Sequence, residues 1–115
     1  MEDRRKSNRV ELHLPARCET TSGVYNGTVI NGSVGGCFVL AQVEDPDDEP
    51  MKLAILLPTR ESIELWGEVA YHLPTKGFGL QFINRSDEGQ AMLNIWRVYL
   101  HAMVEVQRYV PASTG

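Results

Sequence analysis

Two short segments carry residue types suited to gripping a small anion. In Arg5-Lys6-Ser7-Asn8-Arg9, with Arg4 adjoining, two guanidiniums stand four positions apart just ahead of the first strand-like stretch. A guanidinium offers a planar fork of donors that holds phosphate oxygens, or the O6 and N7 acceptors of guanine, two at a time, and its face stacks on purine rings; a lysine supplies only charge. The second segment is Asn31-Gly32-Ser33-Val34-Gly35-Gly36, with an amide and a hydroxyl two residues apart among glycines. Both side chains can then point to one side of a strand junction, Asn31 toward the polar edge of a guanine and Ser33 toward a phosphate or another base atom. Gly35 and Gly36 would let backbone come close to a planar ligand or adopt positive φ. Alone, the first segment reads as a solvated basic tail and the second as a turn; together, and in this order, they point to a ligand.

Those side chains need a scaffold, and the apolar pattern supplies one. From Val10 the chain alternates, with Val10, Leu12, Leu14, Ala16 and Cys18 apolar and mainly polar residues between them, the period of a half-buried strand. Thr21-Ser22-Gly23 reads as a turn, and strands are predicted over 24–30 and 37–41, which makes Asn31 to Gly36 the loop between them. Met51, Leu53, Ile55 and Leu57 alternate, Pro58 to Glu61 turns the chain, and Ile63, Leu65, Val69 and Tyr71 continue a period of two through Gly67. Pro74-Thr75-Lys76-Gly77 turns again before Phe78, Leu80 and Phe82. Six short strands joined by short turns predict a mainly β fold, a closed or nearly closed antiparallel barrel.

From Ser86 the period changes. Met92, Leu93, Trp96, Tyr99, Leu100, Met103 and Val104 recur at three- and four-residue intervals, the stripe of a long amphipathic helix. Ser86 or Asp87 is the expected N-cap, and Asp87 with Gln90 has capping-box spacing. The expected organisation is a flexible arginine segment over 1–9 and a single barrel-plus-helix domain over 10–110. Trp96 is expected in the core. Trp66 faces opposite to Leu65 and Val69 and is expected at the surface, open to a partner or a base. The helical stripe could bury itself on its own barrel or on a second copy, so a homodimer stays open.

Composition narrows the function. With 115 residues, a net charge of -4, a pI near 5.3 and a mean hydropathy of -0.23, the chain lacks the broad basic surface that tracking of nucleic acid requires. A small barrel binding single strands would need a basic groove interleaved with aromatics. The acidic run Glu44 to Glu49 lacks the spacing of a calcium loop, and Cys18, Cys37, His13, His72 and His101 are isolated, so neither a metal site nor a nucleophile and base pair is signalled. Both cysteines read as small buried apolar residues. No stretch approaches the roughly 20 apolar residues of a membrane span and no secretory signal opens the chain, so a cytosolic protein is expected.

R-x-x-x-R ahead of strand one, N-x-S-x-x-G about twenty residues on, a barrel and a final helix resemble the PilZ domain family. Arg5 and Arg9 match the first motif. Asn31, Ser33 and Gly36 match the second, whose first position is Asp or Asn, and Gly77-Phe78-Gly79-Leu80-Gln81-Phe82 resembles the family's G-x-G-V-x-F strand with leucine for valine. The resemblance implies a six-stranded antiparallel PilZ-like barrel that binds cyclic di-GMP, often as an intercalated pair, and passes the signal to an effector in motility, pilus, polysaccharide or virulence machinery. It implies no catalysis, and it assigns Arg5, Arg9, Asn31, Ser33 and Gly36 to the ligand; Arg4 and Gly35, which adjoin these motif positions, complete the expected ligand site, and no metal is expected. The alternatives are a PilZ-like module working through protein contacts alone and the single-strand-binding barrel.

Overall fold

Six strands close on one another in the order β1-β2-β3-β6-β5-β4, every pairing antiparallel and β4 returning to β1. They are β1 (Val10–Thr20), β2 (Gly23–Ser33), β3 (Gly36–Leu40), β4 (Met51–Leu56), β5 (Ser62–Leu73) and β6 (Gly77–Ile83), followed by the helix α1 (Asp87–Tyr109). The computed structural model describes residues 9–42, 50–84 and 86–109, with Arg108 and Tyr109 as backbone only. Arg4, Arg5 and the acidic run 44–49 lie outside the described residues.

The two-residue period fills the barrel. Leu14, Ala16 and Cys18 enter from β1, Val29 from β2, Cys37 and Val39 from β3, Met51, Leu53 and Ile55 from β4, Ile63 and Leu65 from β5, Phe78 and Leu80 from β6. Each larger apolar side chain taken fully out of water contributes on the order of 1.5–3 kcal/mol. Among the described residues closure gives each strand a neighbour on both sides, so no strand is left as a whole edge.

Three register shifts interrupt the period. β1 carries an extra residue between Glu11 and Leu14, β2 one between Val29 and Asn31, and β5 one between Val69 and Tyr71. An inserted residue turns the following side chains over to the other face. At the β1 shift itself Leu12 is only half-buried against the core, although Val10 and Leu14 on either side of it are buried. Tyr71, which strict alternation predicts to face inward with Val69, stands on the outer wall with 45% of its surface exposed.

The helix begins where its cap predicts. Ser86 Oγ accepts from the Gly89 backbone N–H at 3.0 Å, so Ser86 is the N-cap. Gln90 is drawn away from a capping box, because its Oε1 accepts from Asn84 Nδ2 at 2.6 Å. The apolar stripe packs over β5 and β1, with Trp96 and Leu100 buried and Met92, Leu93, Tyr99, Met103 and Val104 half-buried. Near its far end Gln107 Nε2 donates to the Glu11 carbonyl at 2.9 Å. No helix among the described residues is long and apolar enough to cross a membrane.

Candidate functional site

Asn31 and Ser33 sit on a strand and not in the loop the sequence predicts. β2 runs on to Ser33, and the turn is confined to Val34 and Gly35. The backbone there has ladder partners on both sides: Glu11 and Val10 on β1, Phe38, Cys37 and Gly36 on β3. Pairing with both neighbours holds Asn31 and Gly32 extended, and pairing with Gly36 on β3 holds Ser33, which a glycine-rich sequence alone does not announce. Being two apart on a strand, Asn31 and Ser33 share a face, as their spacing predicts.

The glycines also act differently from expectation. Among the described glycines only Gly23 has a positive φ, at 150°. A Cβ on Gly36 would stand 2.1 Å from the Leu80 carbonyl oxygen, and one on Gly32 would stand 2.6 Å from Cζ2 of Trp96. These two glycines let β3 approach β6 and let the helix indole lie against β2. Gly35 alone of the three faces open space, with nothing within 4 Å of an added Cβ.

Arg9 meets the second segment directly. It lies exposed just ahead of β1, and its Nη1 donates to Asn31 Oδ1 at 2.9 Å. One of the five guanidinium donors is thereby committed to the amide, and the Asn31 NH2 remains to meet an acceptor. Ser33 is buried to 6% exposure, and its hydroxyl has no protein partner among the described residues. Its carbonyl accepts from Trp96 Nε1 at 2.8 Å, and Trp96 packs edge-on to Phe82 with ring centroids 5.6 Å apart.

Beside Asn31 opens a groove of about 1220 Å³, lined among others by Asn31, Phe38, Leu40, Tyr71, Leu73 and Lys76. The register explains how its floor forms. Asn31 pairs with Phe38, Phe38 with Gly79, and Gly79 with Tyr71, so one row crosses four strands on the outer wall. Phe38 is 6% exposed yet stands apart from the barrel's core cluster. It is covered instead by Tyr71, with ring centroids 6.0 Å apart and planes at 27°. Period two turns Tyr71 inward and so does not announce this pair; Gly79 in the last strand is its one trace in the sequence.

Elsewhere the chemistry is quiet. Burial pushes the Cys18 thiol up to about 11. It raises Cys37 further, where the charge of Cys18 adds and Arg9 opposes. Both stay protonated and unreactive at neutral pH, as expected of apolar core residues. No metal-holding group of His, Cys, Asp or Glu occurs among the described residues. Trp66 is half-buried, pairs with Lys52 and Ile83, and takes no part in the groove.

The family model for the PilZ domain matches residues 3–96. Among solved structures the fold is similar to the PilZ domain with c-di-GMP of YcgR from Escherichia coli, at TM-score 0.70 and 11% identity, covering 95% of this chain and 100% of that one. It is similar to the PilZ domain of CeSA from a cellulose-synthesizing bacterium, at TM-score 0.64 and 17% identity over 83% of this chain and 99% of that one. It is also similar to the Bacillus subtilis inhibitor of motility MotI/DgrA, at TM-score 0.67 and 21% identity. There the match covers 96% of this chain but 54% of the other, so this chain spans about half that protein's length. A search of curated proteins returns no match.

Proposed function

The chain belongs to the PilZ domain family, and from that membership we propose that it is a cyclic di-GMP receptor that serves as an adaptor to an effector protein. The observation that carries the proposal is the 2.9 Å bond from Arg9 to Asn31, which joins the arginine motif to the N-x-S-x-x-G motif across 22 positions of sequence. Arg9 and Arg5, with Arg4 beside them, take the phosphate oxygens and guanine acceptors. Asn31 presents its remaining amide hydrogens to a base edge. The Ser33 hydroxyl, buried and without a protein partner among the described residues, gains an acceptor when ligand arrives. A polar group already desolvated costs less to pair than one still in water.

Binding works as a switch because the arginine segment over 1–9 changes what the barrel shows to a partner when the ligand engages it. The effector belongs to a motility, pilus, polysaccharide or virulence output, and the resemblance to an inhibitor of motility supports the first of these. The protein acts by binding and not by catalysis, in the cytoplasm. Its acidic balance gives no track for long nucleic acid.

Isothermal titration calorimetry with cyclic di-GMP tests this, with Arg5→Ala and Arg9→Ala as controls and a linear guanine dinucleotide as competitor. Saturable binding that both variants weaken is the expected result. An absence of heat at high ligand concentration would reduce the motifs to inheritance and leave a protein-contact module.

A further inference from the structure

We infer that the outer wall beside Asn31 carries a base-stacking platform, formed by Tyr71 laid over Gly79 and against Phe38, which receives one guanine face of the ligand. The inference rests on the receptor function proposed above and names a recognition element outside its two motifs.

The platform is built, not accidental. A Cβ on Gly79 would stand 2.4 Å from Cε1 of Tyr71 and 2.5 Å from its Cζ, so the phenol ring lies directly on the glycine backbone. Phe38 stacks against the ring with 27° between planes. With one face held by Gly79 and Phe38 and 45% of the residue still exposed, the free face of Tyr71 looks into the groove. An aromatic ring already locked in place loses little rotamer freedom when a planar ligand lands on it.

Position favours the ligand as the occupant. The β5 register shift that turns Tyr71 outward and the β2 shift that turns Asn31 outward flank the same cross-strand row. Phe38 is the direct partner of Asn31, about 4.8 Å away across the ladder, so a base resting on the rings brings its polar edge toward the amide. Lys76 lies on the groove's farther rim, as a counter-charge for a phosphate. An aromatic plane, an amide and a cation within one groove are the parts needed to hold a purine nucleotide.

The test titrates cyclic di-GMP into wild type, Tyr71→Phe, Tyr71→Leu and Gly79→Ala, with Arg9→Ala alongside, and follows the guanine H8 resonance of bound ligand by NMR. Wild type and Tyr71→Phe should bind alike. Tyr71→Leu should bind about five- to 150-fold more weakly, the loss of one stacked base, and the H8 signal should lose part of its upfield ring-current shift. Gly79→Ala, which lifts the ring while keeping the tyrosine, should weaken binding in the same direction. Tyr71→Leu binding like wild type, while Arg9→Ala fails, would overturn the platform and leave the receptor standing. No binding by wild type would overturn both. Thermal melts of each variant separate a loss of folding from a loss of stacking.

Discussion

The indole of Trp96 donates through Nε1 to the backbone carbonyl of Ser33 at 2.8 Å, in a fully buried contact across 63 positions of sequence. The helix core is thereby bonded to the strand end that carries the N-x-S-x-x-G motif. Packing of α1 and the geometry of the candidate site are one structural unit, and several expected outcomes depend on it.

Trp96→Phe should keep an aromatic ring in the core while leaving the Ser33 carbonyl without its donor. A buried acceptor stripped of its partner costs about 1–3 kcal/mol, and the smaller ring adds empty space beneath Gly32. Urea unfolding should show a lower midpoint with an unchanged slope. Affinity for cyclic di-GMP should fall as well, since the strand end is no longer held.

Arg9→Ala should separate binding from stability. Arg9 is exposed, and its single bond to Asn31 is at the surface, so unfolding free energy should change by less than about 0.5 kcal/mol. Ligand affinity should fall about five- to 150-fold if a bidentate contact is lost. Calorimetry and a thermal melt on the same sample check both halves; a large drop in melting temperature with intact binding would contradict the assignment.

Gly36→Ala and Gly35→Ala should differ sharply although the residues are neighbours. The new methyl at 36 meets the Leu80 carbonyl at 2.1 Å, whereas the one at 35 meets nothing within 4 Å. Separating β3 from β6 to make room costs about 1–3 kcal/mol or more. The Gly36 variant should therefore lose stability along with binding, and the Gly35 variant should melt like wild type. The Gly35 variant alone then reports on close approach of a ligand.

The buried thiols predict a pH dependence. In the unfolded chain Cys18 gives up its proton around its ordinary value of 9.0, and in the barrel it holds the proton up to about 11. Between those values the folded state binds more protons, so stability is whole below the lower value and falls as pH rises through the window. The slope is at most about 1.4 kcal/mol per pH unit for each thiol. Urea melts at about pH 8 and about pH 10.5, compared with Cys18→Ala, should show a shallower fall in the variant.

Much of the fold could be read from the sequence because its signals are local. Period two in Met51, Leu53 and Ile55 and period three-to-four in Met92, Trp96 and Leu100 reflect which face each element buries, and the observed core follows both. Ser86 caps the helix because a hydroxyl there meets an orphan N–H, a matter settled within three residues. Asn31 and Ser33 share a face for an equally local reason, their separation by two.

The extent of β2 was decided elsewhere. Asn31 and Gly32 extend because β1 and β3 flank them, and Ser33 because it pairs with Gly36 on β3; no local pattern reports the neighbours of a strand. The role of Gly36 likewise depends on Leu80, which is 44 positions away and adjacent only once β3 pairs with β6.

By itself the sequence determined six strands, a helix, an acidic protein with a basic entry, and two motifs in the right order, since each of these lies in spacing and composition. Only the tertiary structure decided that Arg9 reaches Asn31, that Trp96 holds Ser33, and that Tyr71 turns outward onto Gly79. The physical reason lies in the register shifts, where one inserted residue in β5 or β2 inverts every later facing. Such a shift is fixed by how six strands must twist to close, which is a property of the whole barrel and of no single strand.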